Sequence, residues 1–251
     1  MKKVVVHRPG SYDRLVFEEH PDLEPGPGEV LVDVSAIGVN YADCIVRMGL
    51  YSSARKYVGW PITPGFEVAG RVKRLGTGLT EPAVGSQVFG VTRFDAYATE
   101  VLLPRHQVFA LPAGVDDEHA AGFPGVFLTA HYALMELCRL RPGMKVLVHS
   151  AAGGVGGALT QIARLHDCEV VGVVGSTHKV AAARAHGASA VIDKSSADLW
   201  SEAERQAPDG YDVVLDANGV ETLGDSYRHV KASGRLVIYG FHSMLPRSGG
   251  K

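Results

Sequence analysis

The chain has 251 residues and a formal net charge of −2 at pH 7, so electrostatics does not favour nucleic acid or an anionic membrane as its main partner. Hydrophobic residues make up 46% and charged residues 21%, as in an ordinary globular protein, and no apolar run is long enough to predict membrane insertion. The three cysteines are not paired in spacing, which predicts a reducing, cytoplasmic location and no disulfide framework.

Residues 1–117 are predicted to form a β-rich domain. Short apolar runs separated by glycine and proline turns predict strands at residues 4–6, 15–19, 29–34, 68–72 and 87–91. A short helix is predicted from residue 44 to residue 49. Strands of this length and spacing are typical of a compact barrel or sandwich. Pro112 and Gly114 mark the end of this domain.

Residues 118–251 change to a regular alternation of strands and helices. The predicted strands are residues 146–149, 170–174, 190–192, 213–216 and 236–239. The predicted helices are residues 118–121, 128–140, 157–166, 179–186, 198–206 and 223–230. This alternation predicts an α/β domain with a doubly wound parallel sheet, the Rossmann architecture, and a loop at the tail from residue 246.

A glycine-rich turn joins the first of these strands to its helix. The turn contains Gly153, Gly154, Val155 and Gly156. Glycine at 153 lets the backbone approach a pyrophosphate, and glycine at 156 lets the helix begin close to the strand, where free N–H groups attract phosphate. Ala151 stands where such turns usually have their first glycine. The strand–turn–helix context favours phosphate binding over a purely structural turn.

Several ordered motifs together resemble the medium-chain dehydrogenase/reductase superfamily. They are residues 38–43 (Gly-Val-Asn-Tyr-Ala-Asp), 64–70 (Pro-Gly-Phe-Glu-Val-Ala-Gly), 127–130, 151–156 and 234–237. Within the superfamily the chain is similar to the zinc-independent quinone oxidoreductase group, and residues 239–244 resemble its vesicle amine transport protein-like branch. The resemblance implies a GroES-like catalytic domain followed by a Rossmann cofactor domain, with the active cleft at the carboxyl ends of the sheet strands.

The same resemblance argues against a metal. Zinc enzymes of the superfamily hold a catalytic zinc with a cysteine and with the histidine of a Gly-His-Glu motif. Here Phe66 replaces that histidine, and Asn40 stands near where the first ligand cysteine would be. A phenyl ring and an amide cannot replace imidazole and thiolate as zinc ligands. The other histidines, including His149, show no ligand spacing and are interpreted as surface or internally satisfied residues.

By resemblance, Asn40 contacts the nicotinamide and the acceptor, and Tyr51 lines the acceptor pocket. The alternatives are that Asn40 only stabilises a turn and that Tyr51 only packs. Asp43 and Glu67 are interpreted as partners of the backbone or of Arg47 rather than as an acid–base pair. The cofactor contacts that follow from the family pattern are Thr129, Asn218, Gly240 and Phe241.

The end of the second Rossmann strand indicates which nicotinamide cofactor is used. NAD-preferring domains have an acidic residue there, but this chain has none. Ser176 and Lys179 follow instead, as in NADPH-binding quinone oxidoreductases, where such residues hold the 2′-phosphate. Lys194 is expected to add positive charge, although Asp193 beside it could offset that charge. The alternative is that Lys179 is an ordinary solvated residue at the start of a helix.

These observations predict an NADPH-dependent enzyme that transfers hydride to a quinone or an α,β-unsaturated carbonyl without zinc. The alternatives are an enoyl reductase acting on a carrier-bound thioester and a non-catalytic NADPH-binding scaffold. Family members continue beyond residues 234–239 with another Rossmann strand and a segment that completes the catalytic domain. Both domains are therefore expected to be truncated here, and a full-length form is expected to be a homodimer.

Overall fold

The computed structural model describes residues 1–245. Within them the chain divides into two compact units, Met1–Gly125 and Val126–Leu245. The tail predicted as a loop from residue 246 lies outside the described residues.

The first unit is built mainly from antiparallel strands. A two-stranded sheet pairs β1 (Lys2–Val5) with β2 (Val16–Glu19), and a five-stranded sheet has the order β6-β3-β4-β5-β7. Its strands are β3 (Glu29–Ile37), β4 (Glu67–Leu75), β5 (Gln87–Val91), β6 (Glu100–Pro104) and β7 (Val108–Ala110). Helices α1 (Tyr41–Arg47), α2 (Ser52–Tyr57) and α3 (Asp117–Ala121) complete the unit.

Alternating residues of β3 and β4 build the core of this unit. Val30, Val32, Val68 and Val72 are buried together, because side chains two apart on a strand point to the same face. Lys73 on β4 pairs with Glu100, which is 6% exposed, so one edge of the sheet also contains a partly buried ion pair.

The second unit is a Rossmann fold, as predicted. Its five parallel strands have the order β10-β9-β8-β11-β12. The strands are β8 (Lys145–Val148), β9 (Glu169–Val174), β10 (Ala190–Asp193), β11 (Tyr211–Asp216) and β12 (Val230–Ile238). The helices are α4 (Pro124–His131), which starts at the boundary between the units, α5 (Gly154–Leu165), α6 (Val180–Ala185), α7 (Leu199–Gln206) and α8 (Val220–Arg228).

The central strands of the second unit's sheet, β8, β9 and β11, are buried on both faces. Val146 and Val148 of β8 belong to one hydrophobic cluster, whereas Leu147 belongs to another that also includes Leu199 and Tyr211. A continuous apolar run therefore suits β8 better than an alternating pattern, as is typical of parallel strands.

The boundaries of several elements differ from the sequence prediction, and two of them differ by four residues or more. The helix predicted over residues 128–140 begins earlier, at Pro124, and gives way to a π-helical turn at Tyr132–Leu137. Proline suits the first helical position because its missing N–H has no intrahelical partner there. Strand β12 begins at Val230 instead of residue 236, and its register against β11 shifts between Tyr211 and Val213.

Candidate cofactor site and acceptor-side network

Steric crowding explains why the turn after β8 requires glycine. Helix α5 begins at Gly154, with Gly153 as its N-cap residue. A Cβ at Gly156 would lie 2.1 Å from the carbonyl oxygen of Ser150, far inside van der Waals contact. The backbone of the turn therefore passes directly over the first turn of α5, and only glycine fits at 156. The N–H groups that begin α5 lie at the carboxyl end of β8, where phosphate binding is favoured.

The missing first glycine of the turn is matched by a glycine on the next strand. Ala151 is fully buried, and its amide donates to the carbonyl of Val173 on β9 at 3.0 Å. A Cβ placed on Gly172 would lie 2.8 Å from the Cβ of Ala151. The chain therefore fits a methyl group at 151 because β9 leaves space for it at 172.

A cavity of about 270 Å³ lies at the carboxyl ends of the parallel strands. Its lining includes four of the residues predicted to bind cofactor, which are Gly153, Lys179, Lys194 and Asn218. It also includes His149, Ser150, Ala152, Val173, Val174, Gly175 and His242. Other predicted cofactor residues are not part of this lining, namely Thr129, Gly154, Val155, Gly156, Ser176, Gly240 and Phe241. Thr129 lies exposed on α4, and Ser176 is the N-cap residue of a short 3-10 turn at Thr177–Lys179.

Two lysines line the cavity, and neither has an acidic partner among residues 1–245. Neither Lys179 nor Lys194 forms an ion pair with an acidic side chain in the described part of the chain. The carboxylate of Asp193 accepts hydrogen bonds from the hydroxyl of Thr177 at 2.6 Å and from the amide and hydroxyl of Ser195 at 2.9 and 2.6 Å. These hydrogen bonds lower the pKa of Asp193. Asp193 thus fastens the turn that carries Lys179 to the end of β10.

Buried polar residues support the cavity floor at the end of β11. The carboxylate of Asp216 accepts from the amides of Asn218 and Gly219 through Oδ1, at 2.8 and 2.9 Å. Through Oδ2 it accepts from the hydroxyls of Thr222 and Ser226, at 2.7 and 2.6 Å. Burial alone raises the pKa of Asp216, but these hydrogen bonds outweigh burial and the net pKa is lowered. Asp216 is therefore an ionised, fully buried acceptor at neutral pH.

His149, which follows β8, belongs to the same network and was missed as a functional candidate. Its ring is fully buried, with Nδ1 3.2 Å from Nδ2 of Asn218 and Nε2 3.2 Å from Oγ of Ser226. Burial lowers the pKa of His149 to about 4, against the opposing effect of Asp216. The interpretation as an internally satisfied histidine agrees with this geometry. Its place directly before the glycine turn was the only sequence signal for a role near the cofactor.

In the first unit, Asn40 is held by a buried carboxylate. Its Nδ2 donates to Oε1 of Glu67 at 2.6 Å, and the amide of Gly125 donates to Oε2 at 2.5 Å. Glu67 is 1% exposed, and burial raises its pKa although these two hydrogen bonds oppose the rise. A Cβ on Gly38 would lie 2.4 Å from Glu67, so the loop closes on the carboxylate only because residue 38 is glycine.

Asp43 fixes the other side of Asn40. It accepts from the amide of Asn40 at 2.7 Å, from the hydroxyl of Tyr97 at 2.9 Å and from the amide of Gly65 at 3.2 Å. Burial raises the pKa of Asp43, and these donors oppose the rise. Asp43 and Glu67 thus bind backbone and neutral groups, while the guanidinium of Arg47 donates to the carbonyl of Gly10.

Tyr51 and Phe66 belong to an aromatic cluster. The Tyr51 ring lies 5.7 Å from the Phe66 ring and 6.2 Å from the Phe94 ring, and Phe66 lies 5.6 Å from Phe94. The position that carries a ligand histidine in zinc enzymes is therefore part of an apolar wall. No group of three histidine, cysteine or acidic side chains within residues 1–245 is arranged to hold a metal ion.

Two family models match the chain, one for each unit. The alcohol dehydrogenase GroES-like domain matches residues 26–113, and the zinc-binding dehydrogenase model matches residues 154–248. The 2-haloacrylate reductase of a Burkholderia species is 36% identical over 245 residues, which cover 95% of this chain and 73% of that protein. The chain belongs to the medium-chain dehydrogenase/reductase superfamily. Its relatives place it in the branch of the quinone oxidoreductases and the VAT-1 homologues.

Further relatives share both units. The rat synaptic vesicle membrane protein VAT-1 homolog is 34% identical over 238 residues, covering 94% of this chain but 58% of the relative. The crystal structure of Escherichia coli quinone oxidoreductase complexed with NADPH matches with a TM-score of 0.89 at 28% identity, covering 96% of this chain and 73% of that one. The chain thus spans less than two thirds of the rat relative. None of the helices in residues 1–245 has the length and apolarity needed to cross a membrane.

Proposed function

We propose that this chain belongs to an NADPH-dependent reductase that acts on quinones or activated alkenes without zinc. Membership of the superfamily supports an oxidoreductase with a nicotinamide cofactor. The preference for NADPH, the acceptor class and the independence from zinc are the further steps of the proposal.

The observation that carries the cofactor preference is the pair of uncompensated lysines at the cavity. Lys179 and Lys194 both line it, and Asp193, the acidic residue next to Lys194, has its carboxylate occupied by Thr177 and Ser195. No carboxylate from β9 enters the lining. A doubly charged 2′-phosphate is attracted by such a site, whereas an NAD-type site offers a carboxylate to the ribose hydroxyls.

When bound, NADPH supplies the hydride, and the protein has to position an acceptor that is already electron-poor. Glu67 takes one N–H of the Asn40 amide, which leaves the second N–H of that amide to orient a carbonyl oxygen of the acceptor. The partly buried rings of Tyr51 and Phe66, which pack against the buried ring of Phe94, offer an apolar surface suited to a quinone or an enone. Hydride acceptance by such compounds requires orientation more than Lewis-acid activation.

The zinc-independent part of the proposal rests on the donor set. A catalytic zinc of this family needs thiolate and imidazole ligands, and the corresponding places hold the amide of Asn40 and the ring of Phe66. Phe66 packs against two aromatic neighbours, so its position is an apolar one.

The test is oxidation of NADPH and NADH by this chain with a panel of quinones, enones, 2-haloacrylates and enoyl thioesters. We expect turnover with NADPH and at least one quinone or activated alkene. The Burkholderia relative, named as a 2-haloacrylate reductase, supports including activated alkenes in the panel. NADPH binding without turnover on any acceptor would favour a cofactor-binding scaffold. Cytoplasmic location and a full-length homodimer remain predictions.

A further inference from the structure

The proton positions in the buried network under the cofactor cavity follow from its geometry. Oγ of Ser226 lies 2.6 Å from Oδ2 of Asp216, and two oxygens at that separation need a proton between them. Asp216 is ionised, so the single hydroxyl proton of Ser226 lies on that bond. Ser226 can then act only as an acceptor towards Nε2 of His149, 3.2 Å away.

This requirement fixes the tautomer of His149. Nε2 must carry the proton, and the neutral ring therefore presents Nδ1 as a bare acceptor. The group 3.2 Å from Nδ1 is the side-chain amide of Asn218, which must point its NH2 group, not its carbonyl, at the ring. The chain of donation runs from Asn218 to His149, from His149 to Ser226, and from Ser226 to Asp216.

The backbone of Asn218 is fixed independently of this chain. Its amide donates to Asp216 at 2.8 Å, and its carbonyl accepts from the amide and the hydroxyl of Ser243 at 2.8 and 2.6 Å. Only rotation of the side-chain amide remains, and His149 decides it. Asn218 lines the cavity, and no donor among residues 1–245 bonds to its Oδ1.

We propose that His149 is a positioning residue whose fixed tautomer turns the carbonyl Oδ1 of Asn218 towards the cavity, where it accepts a hydroxyl or amide N–H from the bound dinucleotide. This inference rests on the proposed function, because the ligand that Asn218 would bind is NADPH. The tautomer of His149 depends on the protein alone. An unpaired Oδ1 in the cavity attracts a ligand donor, whereas an NH2 group turned the same way repels one.

Two substitutions separate this role from general support of Asp216. Ser226→Ala and Thr222→Val each remove one hydroxyl bond to Oδ2 of Asp216, but only the first leaves Nε2–H of His149 without an acceptor. In Ser226→Ala we expect the proton to move to Nδ1, the Asn218 amide to turn over, and the dissociation constant for NADPH to rise about tenfold. Thr222→Val is expected to change neither the tautomer nor NADPH binding.

The measurements are ¹⁵N-histidine NMR, with His149→Gln to assign the ring, and fluorescence titration with NADPH. Circular dichroism checks that each variant folds. Wild type protonated on Nε2, with the switch and the affinity loss confined to Ser226→Ala, supports the proposal. Wild-type His149 protonated on Nδ1 overturns it, as does unchanged NADPH binding in Ser226→Ala or an equal loss in Thr222→Val. A wild type that binds no NADPH overturns the proposed function, while the NMR result still decides the tautomer.

Discussion

At the scale of single residues, Lys179 tests the cofactor preference. It lines the cavity without an acidic partner in the described residues, and a charge-assisted contact to phosphate contributes about 1.5–3 kcal/mol. Lys179→Ala is therefore expected to weaken NADPH binding by roughly tenfold or more, because 1.4 kcal/mol is about one decade in affinity. NADH binding is expected to stay nearly unchanged.

Titration of both cofactors against wild type and variant checks this prediction. Lys231→Ala is a matched control in the same unit, since Lys231 pairs with Asp212 and is not part of the cavity lining. Equal losses for NADPH and NADH, or tighter wild-type binding of NADH, would show that the phosphate site has been misassigned.

Glu67 gives a second prediction at this scale. Its two carboxylate oxygens accept from Asn40 and Gly125, whereas the amide of Glu67→Gln has one acceptor oxygen for the same two donors. We expect turnover to fall about tenfold, with little change in NADPH affinity. Asn40→Ala is expected to cost a similar factor, and the double variant is expected to cost no more than either single variant, because all three lose the same orientation.

The pH dependence of turnover distinguishes the loss of the Glu67 carboxylate from a mere packing defect in the variant. Burial raises the pKa of Glu67, so the carboxylate that accepts both donors is present only above that raised value. Turnover is expected to fall as the pH is lowered through it, and Glu67→Gln is expected to lose this acid limb. Additive losses in the double variant, or an unchanged acid limb in the glutamine variant, would exclude Glu67 as the positioning group.

At the scale of elements, the sequence predicts what depends on periodicity and turn chemistry. The Rossmann strands and the glycine turn carry their own signals, since β8 is a continuous apolar run and the turn needs glycine. Helix α2 (Ser52–Tyr57) is absent from the predicted elements, because six residues without a periodic apolar face give no helical signal. Strand β6 (Glu100–Pro104) was missed, because it begins with an acidic residue and ends in proline. Glu100 is nevertheless buried there, where it pairs with Lys73.

Part of the candidate site could likewise be predicted from local sequence pattern, and part of it could not. Gly153, Lys179 and Lys194 could be predicted to come together because parallel strands end at one edge of the sheet. The roles of His149 and Glu67 could not be predicted, because each role depends on partners that are distant in the chain. Ser226 lies 77 residues from His149, and Gly125 lies 58 residues from Glu67. Those contacts are set by packing rather than by local pattern.

The start of α5 has room only for glycine at position 156. Alanine normally stabilises a helix relative to glycine by about 0.5–1 kcal/mol, but a Cβ at position 156 would lie 2.1 Å from the Ser150 carbonyl. Gly156→Ala is therefore expected to lower the thermal midpoint and to abolish NADPH binding, because the turn must move away from α5. Gly224→Ala on α8 has open space around its Cβ and is expected to raise stability slightly. Thermal unfolding and cofactor titration check both, and a stable, binding-competent Gly156→Ala would contradict the steric account.

The chain as a whole differs from the zinc enzymes of its own superfamily in the donor atoms that it offers to a metal. One of its matching family models carries the description of a zinc-binding dehydrogenase. The chain nevertheless has phenylalanine and asparagine where a zinc enzyme needs imidazole and thiolate. Its three cysteines are dispersed, with Cys138 and Cys168 buried, and burial raises the pKa of both thiols, Cys138 to about 11. A buried thiol with a raised pKa resists the deprotonation that zinc binding requires.

We therefore expect the purified protein, after incubation with zinc and exhaustive dialysis, to contain less than stoichiometric metal by elemental analysis. NADPH binding and any turnover are expected to be the same before and after treatment with a chelator. A zinc-containing member of the superfamily, treated in parallel, is expected to retain its metal on dialysis and to lose activity with the chelator. One tightly held zinc per chain would contradict the prediction, and loss of turnover in chelator that is restored by zinc alone would show that the acceptor is activated by a metal after all.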